Sequence, residues 1–75
     1  MLLPTKHLPL KDSLLMAGGT LLGLLRTPRT VSNLWAKSGK FPEIGTFDRF
    51  SLALDFLFAL DLVSFDNGLI VRRKP

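Results

Sequence analysis

Leu62-Val63-Ser64-Phe65-Asp66, Asn67-Gly68, Leu69-Ile70-Val71-Arg72-Arg73 is the stretch that decides the architecture of this chain. Two β-prone runs flank an Asn-Gly dipeptide. That dipeptide is the strongest short-range hairpin signal, because both residues of a two-residue turn need positive φ, which Asn and Gly tolerate best. Immediately upstream, Thr46 is placed to cap a helix running to about Leu60, with Asp48 in its first turn complementing the helix dipole. At about 100° per residue, Phe47, Phe50, Ala53, Leu54 and Leu57 form a core face, extended by Phe58 and Leu60. Asp48, Ser51, Asp55 and Ala59 form the opposite face, Leu52 borders it, and Phe56 lies at the boundary beside Arg49.

Farther upstream, Thr30 is an N-cap candidate for a helix over Val31 to about Ser38, with Val31, Leu34 and Trp35 on one side and Gly39 at its end. Lys40 to Gly45 is a loop. A first helix is expected to begin near Asp12 or Ser13, either of which can cap it, and to end near Leu25 or Arg26, since Pro28 cannot continue it. Its apolar positions run almost all the way round, which predicts burial on most sides. Gly19 and Gly23 share one face with Met16. Glycine costs roughly 1 kcal/mol relative to alanine inside a helix, so either another backbone approaches that face or the helix simply tolerates the loss. Pro4 and Pro9 make residues 1–11 an extended N-terminal arm. Arm, helix, helix, helix, hairpin is the order of a winged helix-turn-helix: a mainly α fold with a C-terminal β-hairpin, three helices plus a wing, in a single domain over residues 1–75. Asp61 departs from the pattern, standing where winged helices often place Gly to close the third helix; Asp tolerates a left-handed conformation less well.

Composition narrows the function. With 47% hydrophobic and 21% charged residues in 75, the chain is too apolar for a disordered tail and more apolar than so small a monomer easily buries. A partner covering apolar surface is the simplest resolution. The apolar run from Ser13 to Leu25 is shorter than the roughly 20 residues a membrane span needs, and Arg26-Thr-Pro-Arg29 follows where a signal-peptide cleavage site would stand. No membrane association is therefore expected. The absence of cysteine fits a cytoplasmic setting, and His7, the single histidine, has no second ligand, so no metal site is expected. No cofactor is expected either. There is no activated nucleophile, no phosphate-binding Gly-rich loop, and no paired carboxylates on one helix face, since Asp55 and Asp61 diverge. The chain does not read as an enzyme.

Winged helices often bind DNA through the third helix. Here that helix offers Asp48, Ser51 and Asp55 with Leu52 alongside, and two carboxylates are repelled by phosphates. Asp48, Arg49, Leu52, Asp55 and Phe56 instead make a candidate surface for a protein partner, an apolar pair set beside charges. The alternative is DNA contact through basic loops and wing: Arg26, Arg29, Lys37 and Lys40 around the second helix, and Arg72, Arg73 and Lys74 at the end of the wing. These could track a phosphate backbone if they converge.

Leu3-Pro-Thr-Lys-His7 in the arm, Ser13-Leu-Leu15, Pro28-Arg-Thr-Val-Ser-Asn-Leu-Trp35, Phe47-Asp-Arg-Phe50 and Leu54 to Leu60 together resemble the small middle component, type six, of bacterial ABC-three-component systems. The resemblance covers nearly the whole length, and the arm joined to Ser-Leu-Leu is its most particular part. It implies a bacterial antiphage or conflict system in which an SMC-like ABC ATPase is encoded with a middle component and often an effector protein. The middle component would bridge or regulate, and the chemistry would belong to the others. Two functions follow as expectations: an adaptor docking on such an ATPase, or a small winged-helix DNA-binding transcriptional regulator. A homodimer is compatible with both.

Overall fold

The first helix, α1, spans Leu10–Leu24 in a computed structural model that describes residues 10–73, with side chains from Ser13 onward. Its start differs from the sequence expectation. Leu10 and Lys11, assigned there to the arm, are helical, because proline restricts the residue before it and not the one after it. Asp12 and Ser13, expected as caps, consequently lie inside the helix. Ser13 is buried, and its Oγ accepts a hydrogen bond from Arg49 Nη1 at 2.9 Å. The rest of the arm, residues 1–9, lies outside the described residues.

Ala17 and Leu21 lie on the buried side of α1, and Leu25, just past its end, continues it. The expectation that α1 is covered on most sides is not met: Leu15 and Met16 are 58% and 51% exposed. An all-round apolar helix does not specify which side meets its neighbours, and here one layer of contacts suffices. Of the two readings of Gly19 and Gly23, tolerance of the loss fits better: among the described residues nothing lies within 4 Å of where a Cβ would stand on either. A close approach falls instead at Gly18, where a Cβ would stand 3.1 Å from Leu57 Cδ2.

The other two helices open on threonine. Thr30 Oγ1 accepts the Asn33 N–H at 3.1 Å and starts α2 (Val31–Ser38), and Thr46 Oγ1 accepts the Arg49 N–H at 3.2 Å and starts α3 (Phe47–Ala59). Leu34 of α2 and Phe50, Ala53, Leu54 and Leu57 of α3 enter the core. Ile44, in the connecting loop, is also buried. Trp35 is half-buried, edge-on to Phe47 at 5.4 Å and tilted against Phe50 at 5.4 Å. Phe47 and Leu60, predicted to belong to the core face, are 51% and 50% exposed. A helical wheel gives direction but not position along the axis: Phe47 is the first residue of α3 and Leu60 its C-cap, so each has neighbours on fewer sides.

The end of α3 explains Asp61. Its φ is 62°, its N–H donates to the Phe58 carbonyl at 3.0 Å, and the Leu62 N–H reaches back to the Leu57 carbonyl at 3.0 Å. This is the paired closure usually built on glycine. The chain then turns into β1 (Val63–Asp66) and β2 (Leu69–Arg72), antiparallel, with Asp66 opposite Leu69. Asn67 and Gly68 have φ of 54° and 79°, as the two-residue turn requires. Arg29 adds a third, single-residue rung on the other side of β2: its N–H donates to the Ile70 carbonyl at 3.2 Å and its carbonyl accepts the Ile70 N–H at 2.7 Å. Three helices closed by a hairpin, with Val63 and Ile70 buried, make the winged-helix arrangement.

The turn supplies a prediction. Gly68→Ala forces a side chain into positive φ and is expected to cost about 1–2 kcal/mol, lowering the melting midpoint by roughly 4–8 °C per kcal/mol. Asn67→Gly, at a φ glycine also accepts, is expected to be close to neutral. Thermal denaturation followed by circular dichroism compares them; an equal loss in both variants contradicts this account of the turn.

Candidate partner-binding site

The Thr46 cap sets where α3 starts, and so sets which residues point outward. With Phe50, Ala53, Leu54 and Leu57 buried, Asp48, Leu52, Asp55 and Ala59 fall at i, i+4, i+7 and i+11 and are all exposed. Leu52, at 48% exposure, stands between the two carboxylates. Beside the first turn of α3 is a shallow hollow of about 240 Å³, lined by Ser13, Leu14, Thr46, Asp48, Arg49 and Leu52.

The structure thus brings Asp48, Arg49 and Leu52 together at this hollow and places Asp55 farther along the same stripe. Phe56 goes elsewhere. It is half-buried, and its Cδ2 lies 3.7 Å from where a Cβ would stand on Gly18, so its ring packs onto α1. Arg49 has a structural tie as well, since its bond to Ser13 Oγ joins α3 to α1. Ser13 and Leu14 were not legible as part of this surface, because no local pattern reports a contact between residues 36 apart in sequence.

A family model for the ABC-three component (ABC-3C) system Middle Component 6 matches residues 3–74. The chain belongs to this family. Neither the comparison with curated proteins nor that with solved structures returns a match. A middle component of a three-component system has other components to meet, so the surfaces it leaves open carry weight. No helix among the described residues is long and apolar enough to cross a membrane.

The basic residues expected to track a phosphate backbone stand in different surroundings in this Middle Component 6 chain. Arg29 Nε donates to the Leu24 carbonyl at 2.6 Å, its Nη1 donates to Asn33 Oδ1 at 2.7 Å, and Arg72 Nη1 donates to the Leu22 carbonyl at 3.2 Å. Both guanidinium groups therefore serve carbonyls at the end of α1, where the helix dipole leaves partial negative charge. Arg73 Nη1 pairs with Asp61 at 3.1 Å on the surface. Arg26, Lys37 and Lys40 are exposed, Lys40 with its Nζ 5.9 Å from the centre of the Phe41 ring. Lys74 lies outside the described residues. The loop glutamate has a place too: Glu43 Oε2 accepts from Thr20 Oγ1, joining the α2–α3 loop to α1.

Proposed function

We propose that this middle component is a non-catalytic adaptor, bridging an SMC-like ABC ATPase and its effector protein in a bacterial antiphage system in the cytoplasm. The observation that carries this is the exposed Asp48–Leu52–Asp55 stripe on α3. In a winged helix this is the face offered to a partner, and here it presents an apolar side chain flanked by carboxylates. Burial of Leu52 would contribute affinity, while Asp48 and Asp55, at the rim, would select a basic partner surface and its orientation. The same carboxylates oppose the polyphosphate of a DNA groove. The basic residues that would compensate lie off this face: Arg29 is held on an α1 carbonyl and on Asn33, and Arg26, Arg72 and Arg73 line a groove between the end of α1 and the wing, so the regulator reading draws no support from α3.

Co-expression with the SMC-like ABC ATPase of the same three-component system tests the proposal. Wild type is expected to co-elute with the ATPase on gel filtration. Leu52→Glu with Asp55→Lys is expected to weaken the complex about tenfold or more, the loss of about 1.4 kcal/mol or more of binding. Both positions are exposed, so the variant's own stability is expected to change by only about 0.5 kcal/mol. No complex with wild type, together with salt-sensitive binding to a DNA duplex, contradicts the adaptor and supports the regulator.

A further inference from the structure

A second open surface lies away from the α3 stripe, where the end of α1 meets the wing. A groove of about 630 Å³ runs there. Leu22, Leu62 and Val71 contribute to its apolar floor, and the three arginines Arg26, Arg72 and Arg73 also line it. Leu22 and Val71 are only partly buried and Leu62 is exposed, so the floor is open to solvent. All three guanidinium groups retain binding capacity. Arg26 has no polar partner among the described residues. Arg72 uses one N–H on the Leu22 carbonyl, and an arginine side chain has five. The bond from Arg73 to Asp61 joins side chains 51% and 71% exposed; exposed pairs of this kind contribute little and exchange readily.

From this combination we infer that the groove is a docking site for an acidic, apolar segment of a partner polypeptide, in which Leu or Phe side chains alternate with Asp or Glu. Charge complementarity selects this occupant. Arginine forks match carboxylates with two parallel hydrogen bonds, and three arginines beside one groove call for several anionic groups spread along a strand. A single-headed amphiphile supplies one. A nucleic-acid backbone supplies several but leaves the apolar floor uncovered. An acidic polypeptide with apolar side chains satisfies both the arginines and the floor. The inference is independent of the α3 stripe. If both hold, the domain has two separate docking surfaces of opposite charge, which is what bridging two other proteins requires.

The test titrates a short synthetic peptide of alternating Glu and Leu/Phe, capped at both ends, into the full-length chain labelled with ¹⁵N. Saturable amide shifts are expected around Leu22, Arg26, Leu62 and Val71. Arg26→Glu with Arg73→Glu is expected to weaken binding about tenfold or more, with Arg26→Glu alone giving part of the loss and serving as the safer variant for folding. Replacing the peptide's Leu and Phe by Ser is expected to weaken it to a similar degree. The Leu52→Glu/Asp55→Lys variant is expected to bind the peptide like wild type, which separates this groove from the α3 surface whatever the ATPase experiment returns. Shifts centred elsewhere, indifference to the arginine reversals, or equal binding of the Ser peptide would overturn the inference. Equal binding of a short DNA duplex at the same amides would also overturn it, in favour of a nucleic-acid surface.

Discussion

Phe50→Ala is expected to remove about 3–5 kcal/mol of stability, the usual range for deleting a buried aromatic ring. Phe50 is 1% exposed and sits in a three-ring cluster, tilted against Trp35 at 5.4 Å and Phe47 at 5.5 Å. Its removal takes the ring from the core and leaves Trp35 and Phe47 with only each other as ring partners in that cluster. A domain of this size holds only on the order of 0.1 kcal/mol of net stability per residue, so the variant loses about half of what keeps it folded. At roughly 4–8 °C per kcal/mol, the melting midpoint is expected to fall by about 20 °C. Phe47→Ala is the internal comparison. That ring is half exposed, and its removal is expected to cost clearly less, about 1–2 kcal/mol. Urea denaturation of the two variants distinguishes them, and comparable losses would contradict the placement of Phe50 at the centre of the cluster.

Gly19→Ala combined with Gly23→Ala is expected to act in the opposite direction, stabilising the chain by about 1.5 kcal/mol. Each glycine lies within α1, is exposed, and has nothing among the described residues within 4 Å of where a Cβ would stand. Alanine in a helix interior is favoured over glycine by roughly 1 kcal/mol. The second gain is smaller because Gly23 lies one residue from the end of α1. The melting midpoint is expected to rise by roughly 6–12 °C. Gly18→Ala is the contrasting variant: its new methyl would meet Leu57 Cδ2 at 3.1 Å, so part or all of the helical gain is offset by displacement of that side chain. A loss of stability in the double variant would mean that the Gly19–Gly23 face is covered after all.

The two pairs of variants divide along the same line as the sequence and structural findings. Gly19 and Gly23 are conspicuous in the sequence, yet among the described residues nothing packs where their Cβ atoms would stand. Phe50 is one of several phenylalanines in α3, and nothing local separates it from Phe47; both satisfy the helical period, and only their place along the axis makes one central and the other peripheral. The candidate site behaves likewise. The exposed Asp48–Leu52–Asp55 stripe follows from helix period and cap alone. That Phe56 turns onto α1, and that Arg49 reaches Ser13, depends on how two helices lie against each other.

The amino-acid order by itself determined the caps at Thr30 and Thr46 and the reversal at Asn67-Gly68, and from these the succession of three helices and a wing. Each is settled within about four residues by sterics and a hydrogen bond to the nearby backbone, so a local pattern suffices to see it. Only the tertiary structure decided that Ile44 leaves a loop to enter the core, that Arg29 pairs with Ile70 as a third rung of the sheet, and that Arg29 and Arg72 serve the carbonyls at the end of α1. Except for the Arg29–Leu24 bond, which spans five residues, these contacts join segments far apart in the chain. Their partners are selected by which surfaces remain unsatisfied once the helices have packed, a condition that has no periodic signature in the sequence.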